Sequence, residues 1–178
     1  MWVFDATPLL YLANVDRLGL VQHLDAFCVI PERVHDEVVK TGLEQEYPAA
    51  RLVQHHVDAC HLDVVSVDQT PLLSRLQDHR NLSDADAAVL AHADAHDGVA
   101  VMDETYGRDV AASEAITTRC TAYIVLRLTA EAEIEPDEAR DVIDAILGAG
   151  WYCAPDVYAT ILGAIDDFEA CRSVSLEA

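Results

Sequence analysis

Short apolar segments alternate with helical patterns along most of the chain, and this alternation constrains the fold more than any other feature. Periodicity predicts strands at Trp2–Phe4, Phe27–Ile30, His61–Val67 and Gly98–Met102, each followed by a segment whose apolar residues have helical spacing. Parallel strands joined through helices form a sheet that is covered on both faces. The sequence therefore predicts an α/β fold with a central parallel sheet between two helical layers.

Local signals predict several helix boundaries. Thr7 directly precedes a proline, which predicts that Thr7 caps the first helix. Ser83 is followed three residues later by Asp86 and then by apolar residues, the pattern of a capped helix start. Gly42 is interpreted as the end of the helix that follows the second strand. The last part of the chain is predicted to form helices at roughly Thr121–Ala132, Pro136–Leu147 and Pro155–Phe168.

The length and the cysteines limit the class of protein. At 178 residues the chain has the length of one domain with a short helical appendage. No apolar run approaches the roughly 20 residues that a membrane-spanning helix needs. Five scattered cysteines without a CxxC pair fit a reducing compartment. We therefore expect a cytoplasmic protein that is not inserted in a membrane.

The charge of the chain is extreme, with 32 acidic residues against 11 basic ones and a formal net charge of −21. Taken alone, this charge argues against RNA, because phosphate contacts by basic residues dominate non-specific affinity for nucleic acids. Molar salt shortens the Debye length to about 3 Å and so screens the repulsion. Lys40 is the only lysine and 20 Asp outnumber 12 Glu, as in proteins of salt-loving microbes. We interpret the acidity as adaptation to the cytoplasm, which leaves the substrate open.

Four acidic positions are predicted to converge at one edge of the sheet. Asp5 and Asp103 each follow an apolar strand, Glu37 lies about two turns into a helix, and Asp84 or Asp86 lies in the first turn of another helix. Ligands of such sheets bind outside the carboxyl ends of the strands. Each acid also has a simpler interpretation, as a solvated turn residue, a first-turn acid that favours the helix dipole, or an exposed helix residue.

Converging carboxylates indicate a particular chemistry. They would repel one another and raise each other's pKa values unless a cation compensates them. Hard oxygen ligands without a cage of Cys and His select Mg²⁺ or Mn²⁺ over zinc. One or two such ions could polarise a phosphodiester and lower the pKa of an attacking water. The pattern therefore favours metal-assisted phosphodiester hydrolysis.

Two histidine clusters are interpreted as exposed, polar helix faces. The first cluster, at residues 55–61, places His56 one helical turn from Cys60, but no second ligand pair at a standard zinc spacing accompanies it. The second cluster pairs His92 with His96, again one turn apart.

Four segments, arriving in order, resemble the motifs of the PIN-domain family. They are residues 4–12 (FDATPLLYL), residues 30–38 (IPERVHDEV), residues 82–91 (LSDADAAVLA), and residues 101–104 (VMDE) with Gly107, Arg108 and Ala111. The resemblance covers roughly residues 1–125, and the helical tail resembles an archaeal and bacterial subgroup with extra C-terminal helices. It implies a PIN-like three-layer α/β/α domain at residues 1–130 and a helical extension at residues 131–178 packed on the same domain.

The resemblance also implies roles for individual residues. Metal binding and catalysis would fall to Asp5, Glu37, Asp86 and Asp103. The third position is ambiguous, because members of this subgroup use an acid two residues earlier, which here is Asp84. Thr7 would hydrogen-bond a ligand or water, and Arg108 would meet a phosphate or form a salt bridge. Glu104 stands where the family has a second Asp, and we do not expect this departure to abolish metal binding.

The function implied is a divalent-metal-dependent endoribonuclease that uses Mg²⁺ or Mn²⁺ and resembles the VapC-type toxin of a toxin–antitoxin pair or a stand-alone relative. A toxin of this kind would be neutralised by an antitoxin protein whose segment fills the acidic cleft, and it would form a homodimer through apolar helix faces. Structured DNA is an alternative substrate. A second hypothesis is a non-catalytic PIN-like module that binds RNA or a protein partner. A phosphate-handling α/β enzyme of another family ranks last, because the chain has no glycine-rich phosphate loop.

Overall fold

A computed structural model describes residues 1–176, with side chains described for residues 1–170. The chain divides into two compact units, Met1–Thr121 and Ala122–Ala178. The predicted boundary between the PIN-like domain and the helical extension was at residue 130. That boundary, and the packing of the extension on the domain, stay predictions.

The first unit is built on a parallel sheet. Its strands are β1 (Trp2–Phe4), β2 (Cys28–Pro31), β3 (Asp63–Val65), β4 (Val99–Val101) and β5 (Thr118–Arg119). They lie in the order β3-β2-β1-β4-β5, and every neighbouring pair is parallel. All carboxyl ends therefore meet at one edge, and the predicted parallel sheet is confirmed.

The central strand β1 determines where the first acidic residue lies. Trp2, Val3 and Phe4 are all buried, as expected of a strand that has neighbours on both sides and helices on both faces. Val3 pairs with Val29 of β2 and with Ala100 of β4. The next residue after the strand therefore emerges at the middle of the carboxyl edge.

Helices precede and follow these strands within the first unit. They are α1 (Ala6–Asn14), a 3₁₀ helix (Leu18–His23), α2 (Glu32–His35), a π-helical segment (Asp36–Thr41), α3 (Gly42–Glu44), α4 (Pro48–Asp58), α5 (Pro71–Gln77), α6 (Asp84–Ala95) and α7 (Thr105–Ser113). Helix α6 packs on β1, β2 and β4, whereas α1 and α4 pack on each other and on the π-helical segment. The arrangement is the predicted PIN-like α/β/α fold.

Two local predictions were wrong, and one helix was missed. The first helix begins at Ala6 and is capped by Asp5, which precedes the predicted cap Thr7 by two residues. Gly42 does not end its helix, which continues from Glu32 to Glu44 through the π-helical segment. A Cβ at Gly42 would lie 2.7 Å from the Cβ of Ala50, so close packing accounts for this glycine. Helix α5 was not predicted at all.

The second unit is helical, as predicted for the end of the chain. Helix α8 (Thr121–Ala130) leads into it, followed by α9 (Pro136–Gly148) and α10 (Pro155–Leu176). The Tyr158 hydroxyl donates to Asp144 over 2.6 Å, and Arg140 donates to Asp166 over 2.5 Å and to Glu169 over 2.9 Å. These bonds join α9 to α10. Within residues 1–176, no helix combines the length and apolarity needed to cross a bilayer.

Candidate active site

Asp5 is the buried centre of the candidate site. It follows β1 directly, and its backbone N–H donates to the carbonyl of Val101 in β4 over 3.0 Å. Its carboxylate caps α1 by accepting a hydrogen bond from the backbone N–H of Thr7 over 3.4 Å. Only 4% of its surface is exposed. Ionisation of a carboxyl group with so little access to water is unfavourable in free energy.

The surroundings of Asp5 raise its pKa from 3.8 to about 7. Burial is the largest cause, and the negative charge of Asp86 is the second. Hydrogen bonds from the backbone N–H groups of Ala6 and Thr7 act in the opposite direction, and the charge of Glu37 raises the pKa further. The fold thus brings Asp5, Asp86 and Glu37 within electrostatic reach of one another.

Asp86 is fixed in place by the start of α6. Ser83 caps that helix, and its hydroxyl accepts from the backbone N–H of Asp86 over 3.0 Å. In return, the Oδ2 atom of Asp86 accepts from the backbone N–H of Ser83 over 3.0 Å and from its hydroxyl over 2.8 Å. Three hydrogen bonds between these two residues hold the buried carboxylate in one orientation, so the predicted capping pattern is present.

Asp84, the alternative third acid, faces different partners. Its Oδ2 atom accepts from Arg33 over 3.1 Å and its Oδ1 atom from Gln77 over 3.4 Å. Its side chain is exposed, and it is absent from the charges that act on Asp5. Of the two candidates, Asp86 is the one whose charge raises the pKa of Asp5.

Glu37 lies in the π-helical segment and is exposed. Its neighbour Asp36 forms an ion pair with Lys40, which lowers the pKa of Asp36 through a hydrogen bond. Short π-helical insertions occur frequently at functional sites, because they redirect side chains within a helix. Here the π-helical segment includes Glu37, one of the acids that were predicted to bind metal.

Asp103 is held by a residue that the sequence did not reveal. Its Oδ1 atom accepts from the backbone N–H of Thr121 over 3.0 Å, and its Oδ2 atom accepts from the Thr121 hydroxyl over 2.5 Å. Thr121 is fully buried. The charge of Asp103 also raises the pKa of the Tyr11 hydroxyl, after burial as the larger cause. Thr121 lies 18 residues further along the chain, and no local pattern signals such a contact.

Thr7 and Arg108, the two predicted ligand-binding residues, differ in surroundings. Thr7 is half-buried in the first turn of α1, where its backbone contacts Asp5. Arg108 is exposed in the first turns of α7, and no acidic residue with a described side chain forms an ion pair with it. The guanidinium of Arg108 is thus open to an anion from solution.

The histidines are less exposed than predicted. His56 is buried, its Nδ1 atom lies 3.2 Å from Nδ1 of His61, and burial lowers its pKa. His92 is also buried, and its Nε2 atom has no hydrogen-bond partner. The interpretation as exposed helix faces was therefore wrong for both residues. Cys28, Cys60 and Cys120 are free thiols, and the side chain of Cys171 lies outside the described residues.

The carboxylates of the candidate site are the residues that could hold a metal ion. Among the described residues, no group of three or more His, Cys, Asp or Glu side chains is placed to hold a metal ion. Mg²⁺, however, keeps several waters and commonly uses only one or two protein carboxylates together with substrate phosphates. Asp5 and Asp86 provide that number of hard oxygen donors, and neither forms an ion pair with a basic residue in the described part of the chain. The donor set therefore fits such a cation.

Comparison with known proteins identifies the family. The model of the family DUF3368, described as a PIN domain, matches residues 1–167. No curated protein and no solved structure matches the chain. The family match includes all four segments that carry the sequence motifs and nearly all of the helical tail. The chain therefore belongs to the PIN-domain family.

Proposed function

We propose that this protein is a metal-dependent endoribonuclease that hydrolyses RNA phosphodiester bonds. PIN domains are generally nucleases, and the family match covers nearly the whole chain. The observation that carries the proposal is Asp5, a buried carboxylate that faces the charges of Asp86 and Glu37. Uncompensated buried charge is costly and is retained where function requires it.

The proposed cofactor is Mg²⁺ or Mn²⁺. Asp5 and Asp86 would bind the ion, and Glu37 and Asp103 would provide further carboxylate ligands. When bound, such an ion lowers the pKa of a coordinated water and polarises the phosphodiester. Asp84 is given no such role in the proposal, because its exposed side chain forms an ion pair with Arg33, whereas the charges that raise the pKa of Asp5 are those of Asp86 and Glu37.

The chain's own residues then have separate tasks. Ser83 fixes the orientation of the Asp86 carboxylate, and Thr121 does the same for Asp103. The Arg108 guanidinium is available for a phosphate of the RNA, and Thr7 is available for a water or ligand beside Asp5. An arginine at such a position forms charge-assisted hydrogen bonds with phosphate oxygens.

RNA is proposed as the substrate in spite of the net charge of −21. At molar salt the Debye length is about 3 Å, so charged groups interact appreciably only when they are in direct contact. Recognition would then depend on local contacts at the carboxyl edge of the sheet, with little contribution from the overall field. We accordingly propose a saline cytoplasm as the setting, in which the free thiols stay reduced.

The test is cleavage of labelled single-stranded RNA in molar KCl with Mn²⁺. The wild type is compared with Asp5→Asn, with an EDTA control and with Asp84→Asn as a matched control. We expect cleavage by the wild type and by Asp84→Asn, and loss of cleavage by Asp5→Asn and in EDTA. Equal loss in Asp84→Asn would contradict the assigned site. Folded wild type that cuts no RNA on a broad panel, and no structured DNA, would favour a non-catalytic module that binds RNA or a protein.

A role as the toxin of a toxin–antitoxin pair is a narrower proposal. The acidic edge would then be closed by a segment of an antitoxin protein, and two copies of the chain would associate through apolar helix faces. Co-expression with the product of a small neighbouring gene tests this role, since a cognate antitoxin should co-purify and abolish RNA cleavage. The oligomeric state follows from light scattering of the purified protein. A monomer that no neighbouring product inhibits would indicate a stand-alone nuclease.

A further inference from the structure

The histidine cluster at residues 55–61 has no role in the proposed chemistry, yet the fold brings two of its members together. His56 lies in the last turn of α4, and His61 follows the end of that helix. Their Nδ1 atoms are 3.2 Å apart. The ring centroids are 5.3 Å apart, with an angle of 54° between the ring planes. Two imidazole nitrogens from different parts of the turn therefore converge.

The distance between the two nitrogens is compatible with two occupants. It lies at the upper end of the range for hydrogen bonds that N–H groups donate. It also matches a metal chelate, because two nitrogens that each lie about 2.0–2.1 Å from a tetrahedral Zn²⁺ ion are about 3.3 Å apart. The two occupants exclude each other, since the hydrogen bond needs a proton on one Nδ1 atom and the metal needs both atoms without one.

Main-chain hydrogen bonds fix the turn that carries the two histidines. The N–H of His61 donates to the carbonyl of His56 over 2.9 Å, and the N–H of Cys60 donates to the carbonyl of Val57 over 3.0 Å. The N–H of Leu62, which is fully buried, also donates to the carbonyl of His56, over 3.3 Å. Because the turn is already ordered, a ligand that binds there loses little affinity to ordering of the chain.

Cys60 provides a possible third ligand. It directly precedes His61, and its thiol is free and exposed. Both residues line one cavity of about 330 Å³. In the described part of the chain, no three such ligands are already placed around one point. The Cys60 side chain must therefore rotate to join the histidine pair, and its exposure leaves room for this rotation.

The other walls of this cavity provide an oxygen donor. Asp63 is one of the lining residues, and none of them is a lysine or an arginine. Cys28 also lines the cavity, but its buried thiol donates to the carbonyls of Val21 over 3.7 Å and Ala26 over 3.6 Å. We therefore assign no ligand role to Cys28. The carboxylate of Asp63 or a water can fill the fourth position of a tetrahedral ion.

The cavity lies at the opposite edge of the sheet from the proposed catalytic centre. Cys28 is the first residue of β2 and Asp63 is the first residue of β3, so the cavity is at the amino edge. Asp5 and Asp103 follow the carboxyl ends of β1 and β4. An ion at the amino edge would link the end of α4 to the start of β3, which has a neighbouring strand on one side only.

From this geometry we propose that His56, His61 and Cys60 bind one Zn²⁺ ion, in a structural site that is separate from the proposed catalytic centre. Imidazole nitrogens and a thiolate select zinc over Mg²⁺ and Mn²⁺. Binding displaces the proton between the two Nδ1 atoms to an Nε2 atom and releases the thiol proton of Cys60 to solvent. The site does not depend on nuclease activity.

The first test is Zn²⁺ binding by the full chain after treatment with EDTA, in molar KCl with a phosphine reductant. The salt suppresses weak binding to the acidic surface, and the reductant keeps the thiols reduced. Asp5→Asn is titrated beside the wild type, because it removes a ligand of the proposed catalytic ion. We expect calorimetry to show one Zn²⁺ per chain in Asp5→Asn, and its Tm to rise with zinc concentration. Absence of tight binding by the folded protein would overturn the proposal.

Two variants test the ligands. Cys60→Ser and His61→Gln should each raise the Kd for Zn²⁺ by more than about a hundredfold, because loss of a second-shell partner alone costs about 10–100-fold in metal affinity. Cys60 is exposed, and glutamine at position 61 can still hydrogen-bond His56, so both variants should keep the circular dichroism spectrum of the wild type. An unchanged Kd in either folded variant would refute the assigned ligands.

Co²⁺ in place of zinc reports the ligands in the unaltered chain. A tetrahedral Co²⁺ ion with a thiolate ligand gives strong visible absorption and a sulfur-to-cobalt charge-transfer band. We expect both in the wild type and loss of the charge-transfer band in Cys60→Ser. Cys120→Ser and His96→Asn are matched controls, a thiol and a histidine outside the cluster, and should leave the spectrum unchanged. A wild-type spectrum without charge transfer, or equal loss in Cys120→Ser, would overturn the proposal.

Discussion

Replacing Asp5 by Asn should stabilise the metal-free protein at neutral pH, although the change removes the residue at the centre of the proposed site. Asp5 has a pKa of about 7 in the fold against 3.8 for an unperturbed Asp carboxyl group. One pKa unit corresponds to about 1.4 kcal/mol, so the full difference amounts to about 4 kcal/mol as an upper value. Asparagine is nearly isosteric, carries no charge and still caps a helix well.

The sign of the pH dependence follows from the raised pKa. Below about pH 4 the Asp5 carboxyl is neutral in both the folded and the unfolded chain, so it does not lower the free energy of unfolding. As the pH rises towards 7, the Asp5 carboxyl group ionises in the unfolded chain but stays protonated in the folded chain. The free energy of unfolding of the wild type therefore falls. Above about pH 7 the loss is complete. The advantage of Asp5→Asn should therefore grow from pH 4 to pH 7 and then level off.

The assay is denaturant unfolding in EDTA and molar KCl at several pH values. Asp84→Asn is the matched control, because Asp84 is exposed and its ion pair with Arg33 contributes about 1 kcal/mol or less. Added Mn²⁺ should then stabilise the wild type and leave Asp5→Asn unchanged. The reasoning would be refuted if Asp5→Asn destabilised the protein by the same amount at every pH, or if both variants behaved alike.

Two further predictions concern packing and capping. Ser83→Ala removes the cap of α6 and a hydrogen bond to the Asp86 carboxylate, so we expect a loss of about 1 kcal/mol and a fall in Tm of about 2–4 °C in a thermal melt; an unchanged Tm would contradict the assigned cap. Gly42→Ala should cost about 1–3 kcal/mol, since its Cβ would lie 2.7 Å from that of Ala50. Its control Gly163→Ala, in an open part of α10, should instead stabilise by up to about 1 kcal/mol, and equal effects of the two changes would refute the packing argument.

Most of the sheet and its acidic edge could be predicted because the signals are local. An apolar strand that ends at an acid, as at Asp5, needs only a few neighbouring residues to be recognised. The same is true of Ser83 and Asp86, whose spacing of three residues is the capping pattern itself. Parallel topology then follows from the alternation of strands with helices, since parallel strands require a crossover.

The features that the sequence did not reveal depend on distant contacts. Thr121 holds Asp103 across 18 residues, and the burial of His92 depends on what packs around α6. Gly42 looked like a helix end because glycine is common there, but the contact that requires it comes from Ala50 in the next helix. The π-helical segment around Glu37 likewise has no simple sequence signature.

The structural and the functional interpretation of Asp5 make opposite predictions for the pKa of its carboxyl group. As a helix cap alone, the carboxylate would be stabilised by the N–H groups of Ala6 and Thr7 and by the helix dipole, and its pKa would fall. Burial and the charges of Asp86 and Glu37 outweigh those hydrogen bonds, so its pKa rises. A cap could be provided by an exposed serine or by asparagine at no such cost. What only an acid provides at this position is negative charge beside a second acid, and this is the arrangement that the proposed divalent-cation site requires.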